Sequence, residues 1–362
     1  MITLSLCMIV RDEEKTLTRC LESVKDVFDE IIIVDTGSVD HTKSEALKYT
    51  DNIYDFTWVD DFSKARNYSF SKATKDYIMW MDADDVLLEN DRLGMLQLKL
   101  VLPESVDTVI LRYDLESPEE HKVVSSFYRE RIVKRSKGFQ WYDPVHEYIA
   151  FTGTYTKQDI AVTHKKITRP TRRNLEIMEK YVQSGHKLSE RNWFYYAREL
   201  YNFREFDRAI EYYEKFWTTT DGLMSNYLDC CMDLAICYTY KKDYEMRLKS
   251  LLRYFEKFGP RAEICCAIGS HYKDLEDYEK AICWYRVAPH TVKPIDTLGC
   301  VSPLYWDYIP FMELCACYYK LGKIDEAIKS NEMIARLYPT DEKICHNRVY
   351  LAGVKNASSQ SR

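Results

Sequence analysis

The stretch Ile78-Met79-Trp80-Met81-Asp82-Ala83-Asp84-Asp85 decides the fold of this chain. The apolar residues of a β-strand run directly into three carboxylates, so the strand carries acids to its carboxyl end. In open α/β sheets, ligands bind outside the carboxyl ends of the strands. Carboxylate oxygens, together with substrate phosphates, are the ligands that Mg²⁺ and Mn²⁺ prefer. The motif therefore predicts a cation site at a sheet edge, and a solvated acidic turn is the alternative interpretation.

Alternating strand and helix patterns precede this motif. Apolar runs at residues 4–10 and 30–34 indicate strands buried on both faces, and the second run ends in Asp35. Residues 13–27, between these two runs, have helical spacing. Strand, helix, strand, helix and then the Asp82 strand form a βαβ series. This series predicts an α/β fold with a mostly parallel, Rossmann-like sheet.

Three shorter strand candidates follow the acidic motif, at residues 108–113, 125–129 and 148–151. Their hydrophobic residues partly alternate with polar ones, as in strands with one solvated face. We expect them to be antiparallel additions to the main sheet. The chain then turns basic at residues 165–173, which predicts a solvated linker, with a phosphate-binding rim as the alternative.

The second half of the chain contains an internal repeat. Similar phrases occur at residues 206–210, 278–282 and 324–328, with a weaker copy at 244–248. In the three clear copies, a small residue in a helical run lies twelve positions before the alanine of the phrase. Spacings near 34 residues with this helix–turn–helix pattern are typical of tetratricopeptide repeats. The pattern predicts a short stack of helix pairs, interrupted near residues 287–310 by a proline-rich insertion.

These patterns together predict two domains, as the length of 362 residues also suggests. The α/β domain should occupy residues 1–168 and the helical repeats residues 193–351. Residues 169–192 would form a helical linker and residues 352–362 a flexible tail.

Composition excludes several classes of protein. A formal net charge of −6 argues against a nucleic-acid partner. The 12 cysteines include no CxxC pair, so we interpret them as small core residues of a protein in a reducing compartment. The apolar N-terminus lacks the basic region of a signal peptide, and no apolar run is long enough to span a bilayer. We therefore predict a cytoplasmic protein.

Candidate binding residues lie at the ends of the predicted strands. Asp35 and Asp82 each end a strand, so both should face one crevice. Residues 61–67 form a loop entering a helix, and Arg66 within it could offer a planar charge to a phosphate. The sequence has neither GxGxxG nor GxxxxGK[ST], which argues against a dinucleotide site and a P-loop.

Four segments jointly resemble glycosyltransferase family 2, whose catalytic domain has the GT-A fold. They are residues 6–14, 33–40, 61–67 and 81–85, in the family's order along the first half of the chain. The resemblance implies a nucleotide-sugar donor, usually a UDP-sugar such as UDP-glucose. It also implies a divalent cation, Mg²⁺ or Mn²⁺, and inversion at the anomeric carbon.

The same resemblance implies roles for individual residues on the donor side. Val10 and Arg11, at the end of the first strand, would hold the nucleobase and ribose together with Asp35. Arg66 would face the diphosphate.

For the cation, the resemblance makes Asp84 the principal ligand, and Asp82 would approach both the ribose and the cation. His164 ends another predicted strand and could complete the cation's ligands or touch the diphosphate; a structural role is the alternative. Asp85 is a reserve carboxylate.

The general base is less directly implied. Many family members have an acidic base followed by Q-x-x-R-W, and that second motif is absent here. The run Val145-His146-Glu147 instead resembles a subgroup that carries helical repeats. In this subgroup Glu147 or His146 would lie on the acceptor side. Alternatively, His146 would only orient Glu147 by hydrogen bonding. Asp143 is a reserve carboxylate.

A second resemblance concerns the acceptor. Residues 171–175 and 193–200 are similar to the junction between GT-A and tetratricopeptide-like domains in sublancin-type peptide S-glycosyltransferases. This implies a peptide or protein side chain as acceptor, bound by the repeats, although the repeats could instead serve self-association as a homodimer. A glycan or a modified nucleic-acid base remains an alternative acceptor. A non-catalytic GT-A scaffold beneath a repeat adaptor is the alternative of a different class.

Overall fold

The computed structural model describes residues 1–116, 123–165, 171–220, 222–294 and 302–360. The chain divides into two compact units, the first formed by Met1–Leu188 and the second beginning at Ser189. The predicted boundary at residues 168–169 and the middle of the predicted insertion, residues 295–301, lie outside the described residues.

The first unit contains ten described strands. They are β1 (Leu4–Val10), β2 (Glu30–Asp35), β3 (Ile53–Asp55), β4 (Tyr77–Trp80), β5 (Asp85–Val86), β6 (Thr108–Glu116), β7 (Val123–Lys134), β8 (Trp141–Tyr142), β9 (Tyr148–Ile149) and β10 (Tyr155–His164). Eight of them form one sheet in the order β3-β2-β1-β4-β7-β6-β10-β5. β1, β2, β3 and β4 run parallel, and β10 runs parallel to β6. The predicted GT-A class, an open and mostly parallel sheet, is confirmed.

The helices of the first unit connect or flank these strands. They are α1 (Leu17–Val24), α2 (Thr42–Ala46), α3 (Phe62–Phe70), α4 (Glu89–Val101) and α5 (Arg173–Gln183), with a short 3-10 turn at Arg135–Lys137. Successive side chains of β1 point to opposite faces of the sheet, as strand geometry requires. Leu6 and Met8 enter one apolar cluster and Cys7 enters the other, so the sheet has a core on both faces.

The later strands correct the sequence-based expectation. Only the predicted strand at 125–129, part of β7, is an antiparallel addition to the main sheet, pairing with β4 and β6. The strand at 108–113 runs parallel to β4 because α4 returns the chain to the same end of the sheet before β6 begins. Residues 148–151 contribute only the two-residue β9, which pairs with β8 in a separate ribbon.

β10 contains a bulge beside α4. Gln158 pairs with Leu111, but the next paired residue, Ala161, is opposite Arg112, so two residues of β10 are left out of the ladder. The backbone N–H of Ala161 donates to Oδ1 of Asp91 at 2.7 Å. This bond satisfies a group at the bulge, where the ladder is locally disrupted.

The second unit is helical in its described residues. Its helices are α6 (Glu190–Asn202), α7 (Phe206–Trp217), α8 (Met224–Tyr240), α9 (Tyr244–Leu252), α10 (Tyr254–Lys257), α11 (Ala262–Asp274), α12 (Tyr278–Val287), α13 (Leu304–Asp307), α14 (Ile309–Lys320), α15 (Ile324–Ala335) and α16 (Glu342–Gln360), with a 3-10 turn at Ala288–His290. The pairs α6/α7, α8/α9, α11/α12 and α14/α15 coincide with the four predicted repeats.

Each repeat turns between its two helices through one residue with a left-handed backbone. These residues are Arg204, Lys242, Glu276 and Gly322, with φ of 62°, 58°, 59° and 71°. Only the fourth is glycine, the residue that adopts this conformation without strain. The four repeats therefore share one turn geometry, and in three of them a residue other than glycine adopts it with some backbone strain.

The small residues of the repeat lie where its two helices approach each other closely. Ala197 and Ala209, on the two helices of the first repeat, are fully buried. A Cβ atom on Gly269 in α11 would lie 2.7 Å from the Tyr285 ring of α12. The periodic small residues are thus explained by helix packing.

Among the described helices, none combines the length and the apolar character that crossing a membrane requires. Of the cysteines in the described residues, nine are buried and two, Cys283 and Cys345, are exposed, and all are free thiols.

Candidate active site

The carboxyl edge of the sheet brings Asp84, Asp85 and His164 together. β5 and β10 pair so that His164 is directly opposite Asp85. The His164 Nδ1 atom lies 3.3 Å from Oδ1 of Asp84 and 3.1 Å from Oδ1 of Asp85. One ligand atom from each of the three side chains falls within 4.8 Å of the others. Two carboxylates and one imidazole at this spacing are a donor set that fits a divalent cation such as Mn²⁺.

The two carboxylates shift the titration of His164. Burial by itself would lower the pKa of His164, but hydrogen bonds to Asp84 and Asp85 raise it to about 10. A histidine binds a cation through a deprotonated nitrogen, so cation binding by His164 would be coupled to proton release.

Arg66 occupies the centre of the edge. It lies on α3 and is buried, and its guanidinium donates from Nη2 to Oδ1 of Asp82 at 2.8 Å and from Nε to Oε1 of Glu147 at 2.6 Å. The rings of Trp80 and Trp141 each lie 4.9 Å from the guanidinium carbon. Arg66 thus joins the Asp82 carboxylate to the Glu147 carboxylate, and two indoles pack against its guanidinium group.

Asp82 is ionised in this arrangement. Burial would raise the pKa of Asp82, but the nearby Arg66 and Arg131 guanidinium groups hold it down to about 2. Its backbone N–H donates to Oδ2 of Asp85 at 3.1 Å, which ties the two acids of the motif together.

The loop that carries Glu147 is conformationally strained. Asp143 and His146 both have left-handed backbones, with φ of 73° and 54°. The Pro144 carbonyl between them accepts a hydrogen bond from the backbone N–H of Phe62, at the start of α3. Strain of this kind concentrates at functional sites, where the surrounding structure over-determines it.

The nucleoside-side candidates lie at the ends of β1 and β2. Asp35 is buried and accepts from the backbone N–H of Ser38, and Lys43 lies 3.6 Å from its Oδ2. The Val10 carbonyl accepts from the backbone N–H of Thr36 at 2.9 Å.

The neighbouring loop after β1 is linked to the loop after β2. Arg11 is exposed, and its Nε lies 3.9 Å from Oδ2 of Asp12. Asp12 in turn accepts from the backbone N–H of Val39 at 2.8 Å. Arg11 therefore extends into solvent at the edge of a loop pair whose backbone is fixed.

Several residues of this edge were missed by the sequence reasoning. Arg131 in β7 is completely buried and pairs with Asp85 at 3.2 Å. Tyr113 in β6 donates to Asp85 at 2.9 Å. Burial raises the pKa of Glu13, and the charges of Asp84 and Asp82 raise it further, so Glu13 belongs to the same electrostatic cluster. No local signal singled out Tyr113 or Arg131, because β6 and β7 carry other charged residues such as Arg112 and Arg129.

An open, mostly parallel sheet with an Asp-x-Asp-Asp motif and a histidine at its carboxyl edge defines a GT-A type of domain. Residues 5–161 match the model of glycosyl transferase family 2. This part of the chain is thus a glycosyl transferase family 2 domain, which confirms the resemblance inferred from the four segments.

Two curated relatives are similar to parts of the chain. A TPR repeat-containing protein from Synechococcus elongatus is 40% identical over 132 residues, which cover 36% of this chain and 32% of that protein. The SPbeta prophage-derived glycosyltransferase SunS from Bacillus subtilis is 27% identical over 239 residues, 59% of this chain and 53% of SunS. The chain therefore spans about a third and about half of the lengths of these relatives.

Solved structures are more distant. The crystal structure of S. aureus TarS 1–349 has a TM-score of 0.40 and 12% identity, covering 71% of this chain and 92% of that one. A crystal structure of MamA has a TM-score of 0.35 and 16% identity, covering 44% and 84%. The fold assignment accordingly rests on the chain's own sheet topology.

Proposed function

We propose that this chain is a metal-dependent, inverting glycosyltransferase that moves a sugar from a nucleotide-sugar, UDP-glucose or a related UDP-hexose, to an acceptor. The observation that carries the proposal is the convergence of Asp84, His164, Asp82 and Arg66 at one edge of a family 2 domain. A sheet edge without a ligand has no need for a buried arginine held between two carboxylates and two indoles.

The donor would be held by the residues named on the sequence. Val10, Arg11 and Asp35 would contact the nucleobase and ribose at the β1 and β2 ends. Asp84 and His164, with Asp82 nearby, would hold Mg²⁺ or Mn²⁺. A bound divalent cation supplies positive charge that neutralises the departing diphosphate.

On the acceptor side, the attacking group must lose a proton to a base within hydrogen-bond reach. Glu147 is our candidate. Arg66 holds its Oε1, so the second oxygen would accept the proton, and the strained neighbour His146 would orient the loop. Arg66 would then act through the two carboxylates it positions as well as through its charge near the diphosphate.

The acceptor that we propose is a peptide or protein side chain bound by the helical repeats. Stacked helix pairs offer an extended surface suited to an extended partner. The name of the relative SunS supports glycosyl transfer and does not specify an acceptor. A glycan or a modified base remains the alternative acceptor, and a non-catalytic scaffold with a repeat adaptor remains the alternative of a different class.

Donor hydrolysis tests the proposal directly. The purified chain would be incubated with a panel of UDP-, GDP- and TDP-sugars, with Mn²⁺, with Mg²⁺ or with chelator, and released nucleotide would be measured. We expect release from one donor that chelator abolishes and that Asp84→Asn lowers at least about 100-fold. Asp51→Asn, an exposed acid outside the site, is the matched control and should be unaffected.

Two outcomes would contradict this function. Nucleotide release that is equal in Asp84→Asn and wild type would exclude the proposed cation site. No release from any donor, together with no donor-induced change in melting temperature, would favour the adaptor alternative.

A further inference from the structure

Asp85 differs from the other two members of the cation cluster because its oxygens are already occupied. Oδ1 accepts from the Tyr113 hydroxyl at 2.9 Å and faces His164 Nδ1 at 3.1 Å. Oδ2 accepts from Arg131 Nη1 at 3.2 Å and from the backbone N–H of Asp82 at 3.1 Å. A carboxylate offers about four lone-pair positions, so these four partners use its acceptor capacity.

The partners of Asp85 cannot follow it toward a cation. Arg131 is completely buried, with its guanidinium carbon 3.7 Å from the centre of the Trp80 ring and 4.2 Å from that of Tyr113. Its Nη1 also donates to the Trp80 carbonyl at 3.2 Å. If Asp85 turned outward, it would leave this charge buried without its counter-ion, which is strongly unfavourable.

Solvent exposure also distinguishes Asp85 from Asp84 and His164. About a fifth of the Asp84 and His164 side-chain surface is accessible, 19% and 21%, whereas none of Asp85 is. His164 Nδ1 faces both acids, Asp84 at 3.3 Å and Asp85 at 3.1 Å, but the Asp85 carboxylate also has the three further partners described above. A carboxylate that is held in place and accepts from Nδ1 of a histidine fixes the ring so that Nε2 is available as a ligand. Such outer partners orient the ligand without touching the metal.

From this geometry we infer that Asp85 is a positioning residue for His164 and not a cation ligand, and that Tyr113 and Arg131 are the residues that hold Asp85. The inference rests on the proposed function, since it assigns roles within the cation site. The ligands from the chain are then Asp84 and His164 Nε2, supported from inside the sheet by Asp85, Tyr113 and Arg131.

Tyr113→Phe tests this assignment because it removes one hydrogen bond and keeps the ring against Arg131. The full-length chain would be titrated with Mn²⁺, with and without UDP, and free Mn²⁺ would be measured by electron paramagnetic resonance. Loss of an outer partner typically weakens metal affinity about 10–100-fold, and we expect an effect of about 10-fold. If Asp85 were itself a ligand, freeing its Oδ1 would leave Mn²⁺ affinity unchanged or increase it.

Tyr77→Phe is the matched control. Tyr77 is also a buried tyrosine of the same sheet, and its hydroxyl donates to the Val106 carbonyl at 2.7 Å, away from the acidic motif. Both variants lose one buried hydrogen bond, so they should lose similar stability, but only Tyr113→Phe should lose Mn²⁺ affinity. Equal Mn²⁺ affinity in the two variants would overturn the inference.

A spectroscopic measurement on the wild type makes the test independent of any variant's folding. Electron spin echo modulation of bound Mn²⁺ should show an imidazole nitrogen, and His164→Gln should abolish it. Bound Mn²⁺ without that nitrogen signal would overturn the inference while leaving the proposed function standing. If the wild type bound no Mn²⁺ with or without UDP, the proposed function itself would fail.

Discussion

Asp82 in the first unit and Asp233 in the second are acids whose pKa values move in opposite directions on folding. About a third of the Asp82 side chain is exposed, whereas Asp233 is buried. Arg66 and Arg131 overcome the effect of burial at Asp82 and bring its pKa to about 2. Burial dominates at Asp233 and raises its pKa to about 6, although Arg198 acts against it. Tyr213 donates a hydrogen bond to Asp233 at 2.6 Å.

The difference shows two ways in which a fold accommodates an acid that is withdrawn from solvent. At the sheet edge, two guanidinium groups keep the Asp82 carboxylate charged, which suits the cation and diphosphate site that we propose. In the core of the repeats a hydroxyl satisfies the acid, which can take up a proton when the pH falls.

Replacing Arg66 should produce the largest effect on stability. Arg66→Met removes the guanidinium charge between Asp82 and Glu147, whose side chains are 34% and 13% exposed. Breaking a fully buried ion pair costs about 3–5 kcal/mol in the free energy of unfolding, and this range is the upper bound here because Asp82 is partly exposed. Urea denaturation monitored by tryptophan fluorescence would measure the loss, because Trp80 and Trp141 pack on Arg66.

Arg253→Met in the second unit is the comparison for Arg66→Met. Arg253 pairs with both oxygens of a single carboxylate, Glu214, at 2.7 and 2.8 Å. The side chains of this pair are 17% and 38% exposed, whereas those of Arg66 and Glu147 are 8% and 13% exposed. An ion pair of this exposure contributes roughly 0–1 kcal/mol. If Arg66→Met and Arg253→Met lowered the free energy of unfolding equally, the two arginines would not differ in their contribution to stability.

The pH dependence of Asp233 should give the next effect. Because its pKa is raised from 3.8 to about 6, the folded state binds the proton more tightly, and stability falls as the pH rises from 3.8 through 6. Asp233→Asn has no such titration. The free energy of unfolding of this variant, relative to wild type, should increase between pH 4 and pH 7 by up to about 3 kcal/mol.

Paired denaturation curves of wild type and Asp233→Asn at the two pH values measure this difference. Asp82 predicts the reverse sign, since a lowered pKa contributes stability above pH 3.8 that is lost as the pH falls through 2. A constant difference between wild type and Asp233→Asn would show that Asp233 does not titrate in this range.

Gly269→Ala tests steric fit in the repeats. The new Cβ would lie 2.7 Å from the Tyr285 ring, and overpacking of this kind typically costs about 1–3 kcal/mol. Gly353→Ala in α16 is the control, because no atom lies within 4 Å of the new Cβ. The control should be stabilised by up to about 1 kcal/mol through helix propensity, as thermal unfolding would show. Equal shifts in the two variants would argue against a packing role for Gly269.

The smallest effect should come from the turns between helices. Glu276→Gly should raise the free energy of unfolding by up to about 1 kcal/mol, because glycine adopts a left-handed backbone without strain. Gly322→Ala, at the equivalent turn of the fourth repeat, should lower it by a similar amount. Chemical denaturation of both variants checks the two signs, and a loss of stability in Glu276→Gly would show that its side chain contributes more than its backbone costs.

Local patterns predicted much of this structure. The strand predicted to run from Glu30 to Asp35 has those bounds, because a continuous apolar run ending in an acid is a local signal. The helix pairs of the repeats were likewise predicted from a twelve-residue spacing within each pair. Both features depend on residues that are close in the chain.

Contacts at the candidate site could not be predicted in the same way. Arg66 and Glu147 are 81 positions apart, and Arg131 and Asp85 are 46 apart. The first pair joins α3 to the loop between β8 and β9, and the second depends on where β7 inserts between β4 and β6. Both arrangements are set by long-range packing. The roles carried over from the family resemblance remain predictions, and the structure adds the buried groups that support them.

The bulge in β10 has a consequence for how the chain length of this strand can vary. The two residues outside the ladder, Asp159 and Ile160, correspond to roughly 6–7 Å of extended strand. The partners on β6 are consecutive, Leu111 and Arg112, so a strand without these two residues could keep His164 opposite Asp85. The two extra residues instead serve the packing of α4. Ile160 enters the core beside Gly94 of that helix, and the Ala161 N–H reaches Asp91 at its first turn. The bulge therefore fastens α4 to the sheet next to the site and does not set the reach of β10.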